Sequence, residues 1–259
     1  MSNFFNKIRK TLLKEGKTTN YLKYAIGEIV LVVIGILIAL QINNWNENRK
    51  LQNEKHKLMI ALKNEFTDNK KNLEEVIEGL SQSNRYFVKI LNFSAGTETH
   101  LPIDSLRFYT SKIYYLQTLS LLTSVQEEAI SSGKFELLDN HLKQLLSTFK
   151  DFNKSLNSLN DNSQPITTYS DDTIDLLATF SSLDDIYNNF FPNRIVSIHP
   201  AFKKNDEAFV AYIKLAKTYS LLFKIYNIQL ANEVWTKNGL LRVTENILDE
   251  IDKELNQKQ

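Results

Sequence analysis

Four histidines, His56, His100, His141 and His199, are the side chains best suited to move protons or bind a metal near neutral pH. They are scattered, and none has a second histidine or a carboxylate at a zinc-binding spacing such as H-E-x-x-H, so they read as surface residues. Acidic neighbours occur at Glu74/Glu75, Glu127/Glu128, Asp171/Asp172 and Asp184/Asp185. Adjacent residues of a helix point about 100° apart, which suits solvated faces and helix starts better than a facing dyad of catalytic carboxylates. Cysteine is absent, removing catalytic thiols, thiolate metal sites and disulfides. So are G-x-G-x-x-G, G-x-x-x-x-G-K-[ST] and G-x-S-x-G, the turns of nucleotide sites and hydrolase nucleophiles. The expectation is a non-enzymatic chain with no catalytic residue, no metal and no cofactor.

The elements that would position any site are helical. Only 7 glycines and 4 prolines occur in 259 residues, and every proline lies beyond residue 100, whereas a β-rich domain needs turn residues every ten or so positions. The net charge of +1 conceals an asymmetry. Residues 1–46 hold six basic residues (Lys7, Arg9, Lys10, Lys14, Lys17, Lys23) against Glu15 and Glu28, giving +4; the other 25 basic and 28 acidic residues give −3. A mildly acidic domain is a poor phosphate binder, so nucleic acid is not an expected partner. The basic end suits an anionic lipid bilayer.

From Ile29 to Leu40 the chain reads IVLVVIGILIAL, and no charge occurs between Glu28 and Glu47. A helix needs about 20 such residues to cross roughly 30 Å of hydrocarbon. Tyr21 and Tyr24 before the run and Trp45 after it stand where aromatic belts form. No small-x-small cleavage site follows the run, so it reads as an uncleaved signal anchor. The basic flank places the N-terminus in the cytoplasm and everything after Trp45 outside, with Arg49, Lys50, Lys55 and Lys57 weakening the bias. Residues 1–20 form a basic amphipathic segment in which Phe4, Phe5, Ile8, Leu12 and Leu13 suit a short interfacial helix, residues 21–46 form the anchor, and residues 47–259 form the outer domain. Within the anchor, Gly35 and Ala39, with Gly27 two turns earlier, are candidates for a close helix contact. Glu28 is an ionisable group at the membrane edge, able either to serve a function or to snorkel toward Lys23.

The outer domain reads as an antiparallel helical bundle, giving an all-α fold with the anchor continuing into a long helix. Leu58, Leu62, Phe66, Asn69, Leu73, Val76, Leu80 and Phe87 step by three and four, apart from a last gap that Ser83 or Asn84 would fill, and Ser94, Ala95 and Gly96 end the helix. Asp104 is placed to cap a helix reaching Leu122, Ser124 and Glu127 make an S-x-x-E capping box, and Gly133 closes the short helix they begin. Asp139 caps a seam of Leu142, Leu145, Phe149, Phe152, Leu156 and Leu159, which Pro165 should interrupt, and a further helix covers roughly 171–190. Asn205 caps the stripe Phe209, Tyr212, Ala216, Tyr219, Phe223, Tyr226 and Leu230, expected as core. Gly239 breaks or bends that helix, and Leu241, Thr244, Leu248, Ile251 and Leu255 resume the spacing.

The segment EGKTTNYLKYAIGEIVLVVIGILIALQINNWNENRK, Glu15 to Lys50, resembles the N-terminal signature of a large family of uncharacterised single-pass membrane proteins of Bacteroidetes-type bacteria. SVQEEAISSGKFELLDNHLKQLL, Ser124 to Leu146, is similar to that family's second recurrent stretch. The resemblance implies a bacterial inner-membrane anchor with a helical periplasmic domain, and supplies no catalytic residues. Two roles follow: a scaffold or interaction module, as a homo-oligomer or with other partners, and a ligand sensor that signals through a partner membrane protein. An enzyme using paired carboxylates in the bundle is a third.

Overall fold

The computed structural model describes residues 18–113, 119–167, 170–181 and 199–256, and every regular element among them is helical. The expected interfacial helix of residues 1–20 lies almost wholly outside them, as do the side chains of Tyr21 and Tyr24. The chain divides into two units, Met1–Lys57 and Leu58–Gln259. This division falls 11 residues beyond the boundary read from hydropathy, because the apolar run ends before the first side chains of the second core begin to bury.

Helix α1, Thr18–Ala95, belongs to both units. Proline is absent until Pro102, so nothing removes an amide donor along its 78 residues. In the first unit its large apolar side chains from Ile29 to Ile42 are between 46% and 71% exposed. In the second unit α1 buries Leu58, Leu62, Phe66, Asn69, Leu73, Ser83, Asn84 and Phe87, the seam its spacing predicts. Gly96 stops it at φ +77°, its amide donating to the Phe93 carbonyl at 3.1 Å and the Thr97 amide to Asn92 at 3.0 Å, a Schellman closure.

The second unit continues with α2 (Ile103–Lys112), α3 (Ser124–Ser131), α4 (Asn140–Thr167), α5 (Asp171–Ser181), α6 (Asp206–Ile213), α7 (Ala216–Trp235), a π-helical segment (Thr236–Leu241) and α8 (Arg242–Asn256). Asp139 and Asn205 cap as expected: Asp139 Oδ1 accepts from the Leu142 amide and Asn205 Oδ1 from the Ala208 amide, both at 2.9 Å. Ion pairs give the direction of α8. Lys63 meets Asp252 at 2.6 Å and Lys70 meets Glu245 at 2.9 Å, so α8 descends as α1 rises. His141 pairs with Glu250 and Asn160 with Asn232, so α4 also runs against α7 and α8, and therefore in the same direction as α1. The bundle is thus antiparallel between its early and late halves and parallel between α1 and α4.

Several expectations are corrected. Asp104 lies in the first turn of α2, whose N-cap is Pro102, and α2 ends at Lys112; residues 119–123 carry no helix, and the intervening part lies outside the described residues. Thr123, not Ser124, is the N-cap of α3, its hydroxyl donating to Glu127 Oε1 at 2.9 Å. Pro165 does not interrupt α4, which continues to Thr167: a proline in the last turn costs one backbone bond and has little helix left to break. The helix expected across 171–190 is described only to Ser181. The Asn205 helix is two helices. Leu215 is extended at ψ 134°, and α7 restarts on a different face, burying Thr218, Leu222, Ile225 and Gln229 while Phe223 is 44% exposed. Tyr212, Tyr219 and Tyr226 pack as partly buried flanks, and only Phe209 of the aromatic stripe is fully inside. On α8 the buried face is Val243, Thr244, Ile247 and Ile251, flanked by Leu241, Leu248 and Leu255.

Gly133 closes α3 as read, at φ +74° and with its amide 3.2 Å from the Ile130 carbonyl. A Cβ there would meet nothing within 4 Å, so any cost of substitution lies in the backbone alone. Gly133→Val should lower stability by about 1 kcal/mol or more and Gly133→Asn by less, because asparagine tolerates the left-handed region and β-branched residues do not. Chemical unfolding midpoints check this, and equal losses from both would discard the backbone cause.

Tyr212 bears on how the fold responds to alkali. Burial pushes its phenol above the ordinary value, opposed in part by hydrogen bonds with Thr179 and Thr218. A phenol raised on folding holds its proton longer in the native state, so this stability is complete below the unfolded value of about 10 and disappears as pH climbs through the raised one. Lys70, raised by its bond to Glu245, and Lys217, raised by Asp172, act in the same direction. Tyr212→Phe should therefore lose stability less steeply above pH about 10 than the parent. Superimposable alkaline limbs in a melting series would assign the loss to the lysines.

Candidate functional site

The candidate residues in and beside the apolar run lie along one segment of α1 without forming a cluster. A Cβ added at Gly27 or Gly35 would meet nothing within 4 Å, and Ala39 is exposed. At about 100° per residue, Ala39 lies about 40° round the helix from Gly35, and Gly27 about 80° to the other side. Gly35 and Ala39 thus share a face one turn apart, while Gly27 stands on its shoulder. Glu28 is half-buried and engaged by a neighbour.

The histidines stand as expected. All four are exposed; His141 Nδ1 lies 3.5 Å from Glu250 and His199 Nδ1 accepts from the Ala201 amide at 3.2 Å. Three of the four acidic pairs are described, and all three are exposed: Glu127 and Asp171/Asp172 lie in first turns, where the helix dipole favours them, and Asp172 also holds Lys217 at 2.6 Å. Asp184/Asp185 lies outside the described residues. Among the described residues no group of three or more His, Asp or Glu is placed to hold a metal.

Two polar constructions in the second unit carry more information than these. The first joins α1 to the start of α3. Asn69, fully buried, donates from Nδ2 to the Leu122 carbonyl at 2.8 Å and accepts the Leu122 amide on Oδ1 at 2.7 Å, so one side chain closes the loop as a neighbouring strand would. One turn earlier, buried Glu65 accepts the Val125 amide at 2.7 Å and the Ser124 hydroxyl at 3.2 Å. A carboxylate at these free amides caps α3 from another helix and meets the positive end of its dipole. Sequence could not offer this, since Glu65 reads as one more charged residue of a long amphipathic helix and its partners lie about 60 residues away.

The second is a polar layer between two apolar clusters. One cluster gathers Leu62, Phe66, Phe149, Ile247 and their neighbours; the other gathers Phe87, Ile90, Leu176, Phe209 and Leu222. Between them Gln229 donates to Ser83 at 3.1 Å, Asn84 to Glu233 at 2.5 Å and Asn232 to Asn160 at 2.9 Å. Each amide spends its N–H, and the buried oxygens Asn84 Oδ1, Gln229 Oε1 and Asn232 Oδ1 find no donor among the described residues. Beside this layer the π segment brings Gly239 against Phe152, where a Cβ would stand 2.9 Å from the ring, and Phe152 meets Trp235 edge-on at 5.8 Å. Gly239 therefore serves close approach, and the chain passes from α7 to α8 without breaking.

Residues 28–148 match a family of unknown function (DUF6090). No curated protein and no solved structure matches the chain. The matched stretch runs from Glu28 through the apolar run, Glu65, Asn69 and α3 into α4, and stops before the late helices that supply Gln229, Asn232 and Glu233. The α1–α3 construction lies wholly inside it, whereas the polar layer extends beyond it. A family without an assigned activity lends this chain no reaction.

Proposed function

We propose that this protein is a membrane-anchored interaction module, acting through contacts rather than catalysis, with its N-terminus in the cytoplasm and the helical unit outside a bacterial inner membrane. One observation carries the reading. Between Ile29 and Ile42 every large apolar side chain is at least 46% exposed, on all sides of an uncharged helix. Burying apolar surface is worth about 25 cal/mol per Å², so water is a poor medium for such a segment and hydrocarbon a good one. The helix contains an 18-residue window apolar enough to cross a membrane, about 27 Å at 1.5 Å per residue, close to the thickness of the bilayer core.

Reporter fusions at the two ends test the topology: a C-terminal alkaline phosphatase fusion should be active and a C-terminal fluorescent protein that matures only in the cytoplasm dark, and the reverse pattern overturns the orientation. Self-association through the anchor is tested by Gly35→Leu with Ala39→Leu, which should lower cross-linking yield in membranes if these helices approach closely, because contacts in lipid depend on small residues. Unchanged yield would take these two residues out of any self-association and leave the stretch of α1 around Leu58–Leu80, or a different partner protein, as the contact. A second reading, sensing of a small ligand passed on through a partner membrane protein, is favoured by the three buried carbonyl oxygens of the polar layer, which suit a ligand bearing hydrogen-bond donors.

A further inference from the structure

The anchor reading leaves one charged group near the far end of the apolar run without a task. Trp45 is 63% exposed, and the Arg49 guanidinium lies over its ring at 5.4 Å from the centroid. The carboxylate nearest to it in sequence is already engaged, since Glu47 holds Lys50 at 3.0 Å. Among the described residues no carboxylate pairs with Arg49. A guanidinium stacked on an aromatic face offers its N–H donors edgewise, in the plane that fits two oxygens of a phosphate.

Position singles out which phosphate. Trp45 lies five residues past Leu40, about 7 Å along the helix, which is the depth of one headgroup layer. Side chains on a helix lean toward its N-terminus, and here the N-terminus is the direction of the apolar run, so both Trp45 and Arg49 incline back toward the hydrocarbon boundary. An indole prefers that boundary, with its ring in the acyl region and its N–H in the polar layer.

Resting on the anchor reading, we propose that Trp45 and Arg49 form a binding site for the phosphate of an anionic phospholipid in the leaflet next to the outer unit. Trp45 fixes the depth and the ring face of the guanidinium, and Arg49 supplies the paired donors. The site selects lipid by charge. Arg49 is open to that phosphate because Lys50, not Arg49, holds Glu47.

The chain has two tryptophans, Trp45 and Trp235, so Trp235→Phe leaves Trp45 as the sole indole reporter. Full-length W235F protein is reconstituted in phosphatidylcholine vesicles containing equal small fractions of acyl-brominated phosphatidylglycerol or acyl-brominated phosphatidylcholine, and quenching of Trp45 is compared. Brominated phosphatidylglycerol should quench as though enriched about fivefold near the ring, the enrichment one well-placed cation brings at an anionic surface. Adding Arg49→Gln should equalise the two lipids, and adding Lys57→Gln should leave the preference intact. Equal quenching before Arg49 is changed overturns the headgroup site and keeps the anchor. A preference that survives Arg49→Gln, or that Lys57→Gln removes as fully, also overturns the site by assigning the effect to diffuse charge. Absence of quenching by either lipid overturns the anchor reading itself.

Discussion

Replacing Ile34 and Leu37 with arginine should release the full-length protein from the membrane fraction. Each guanidinium near the centre of a spanning helix costs about 2.5–3.5 kcal/mol on insertion scales, so the pair opposes insertion by about 5–7 kcal/mol. Both positions are more than 45% exposed, so the second unit loses no internal contact and any change in fractionation reports on lipid. Alkaline carbonate extraction separates the outcomes. Parent protein stays with the pellet, and a doubly substituted chain that also stays there would sink the membrane anchor as the reading of residues 29–42.

The second large effect belongs to the core. Phe66 is fully buried and meets Phe149 edge-on at 4.9 Å, tying α1 to α4 within the cluster that α8 also enters. Phe66→Ala should cost about 3–5 kcal/mol, from lost transfer energy and a cavity that rigid helices close poorly. Phe66→Leu should cost less, about 1.5 kcal/mol, by keeping most of the volume. Urea unfolding of detergent-solubilised full-length protein, followed by tryptophan emission from Trp235 against Phe152, gives both values. Similar small losses for the two variants would mean that the α1–α4 contact is dispensable.

Local chemistry was legible in the sequence because its causes are local. The α1 seam follows from three-and-four spacing, including the buried pair Ser83 and Asn84 in the long gap, and Asp139, Asn205, Gly96 and Gly133 mark ends through side-chain caps or left-handed turns that nearby residues dictate. What escaped is set by distant partners. The break at Lys214–Leu215 contains good helix formers and no glycine or proline, so only packing separates α6 from α7 and rotates the buried face. Gly239 was legible as an irregularity, yet its neighbour Phe152 is 87 positions earlier. Glu65 and Asn69 are the sharpest case, since periodicity places them on the inner face and says nothing of the loop they hold.

The joining of α1 to α8 bears on how the chain acquires its shape during synthesis. Leu62, Phe66 and Leu73 complete their cluster with Leu240, Ile247 and Ile251, partners 167 to 189 positions away. Contacts of such sequence separation slow folding, and a growing chain cannot make them until its last helix has emerged. For most of its biogenesis α1 must therefore present an uncovered apolar stripe, already anchored at one end if the helix has entered the bilayer. That interval, rather than the finished fold, is when the most apolar surface of α1 is open to chaperones and proteases.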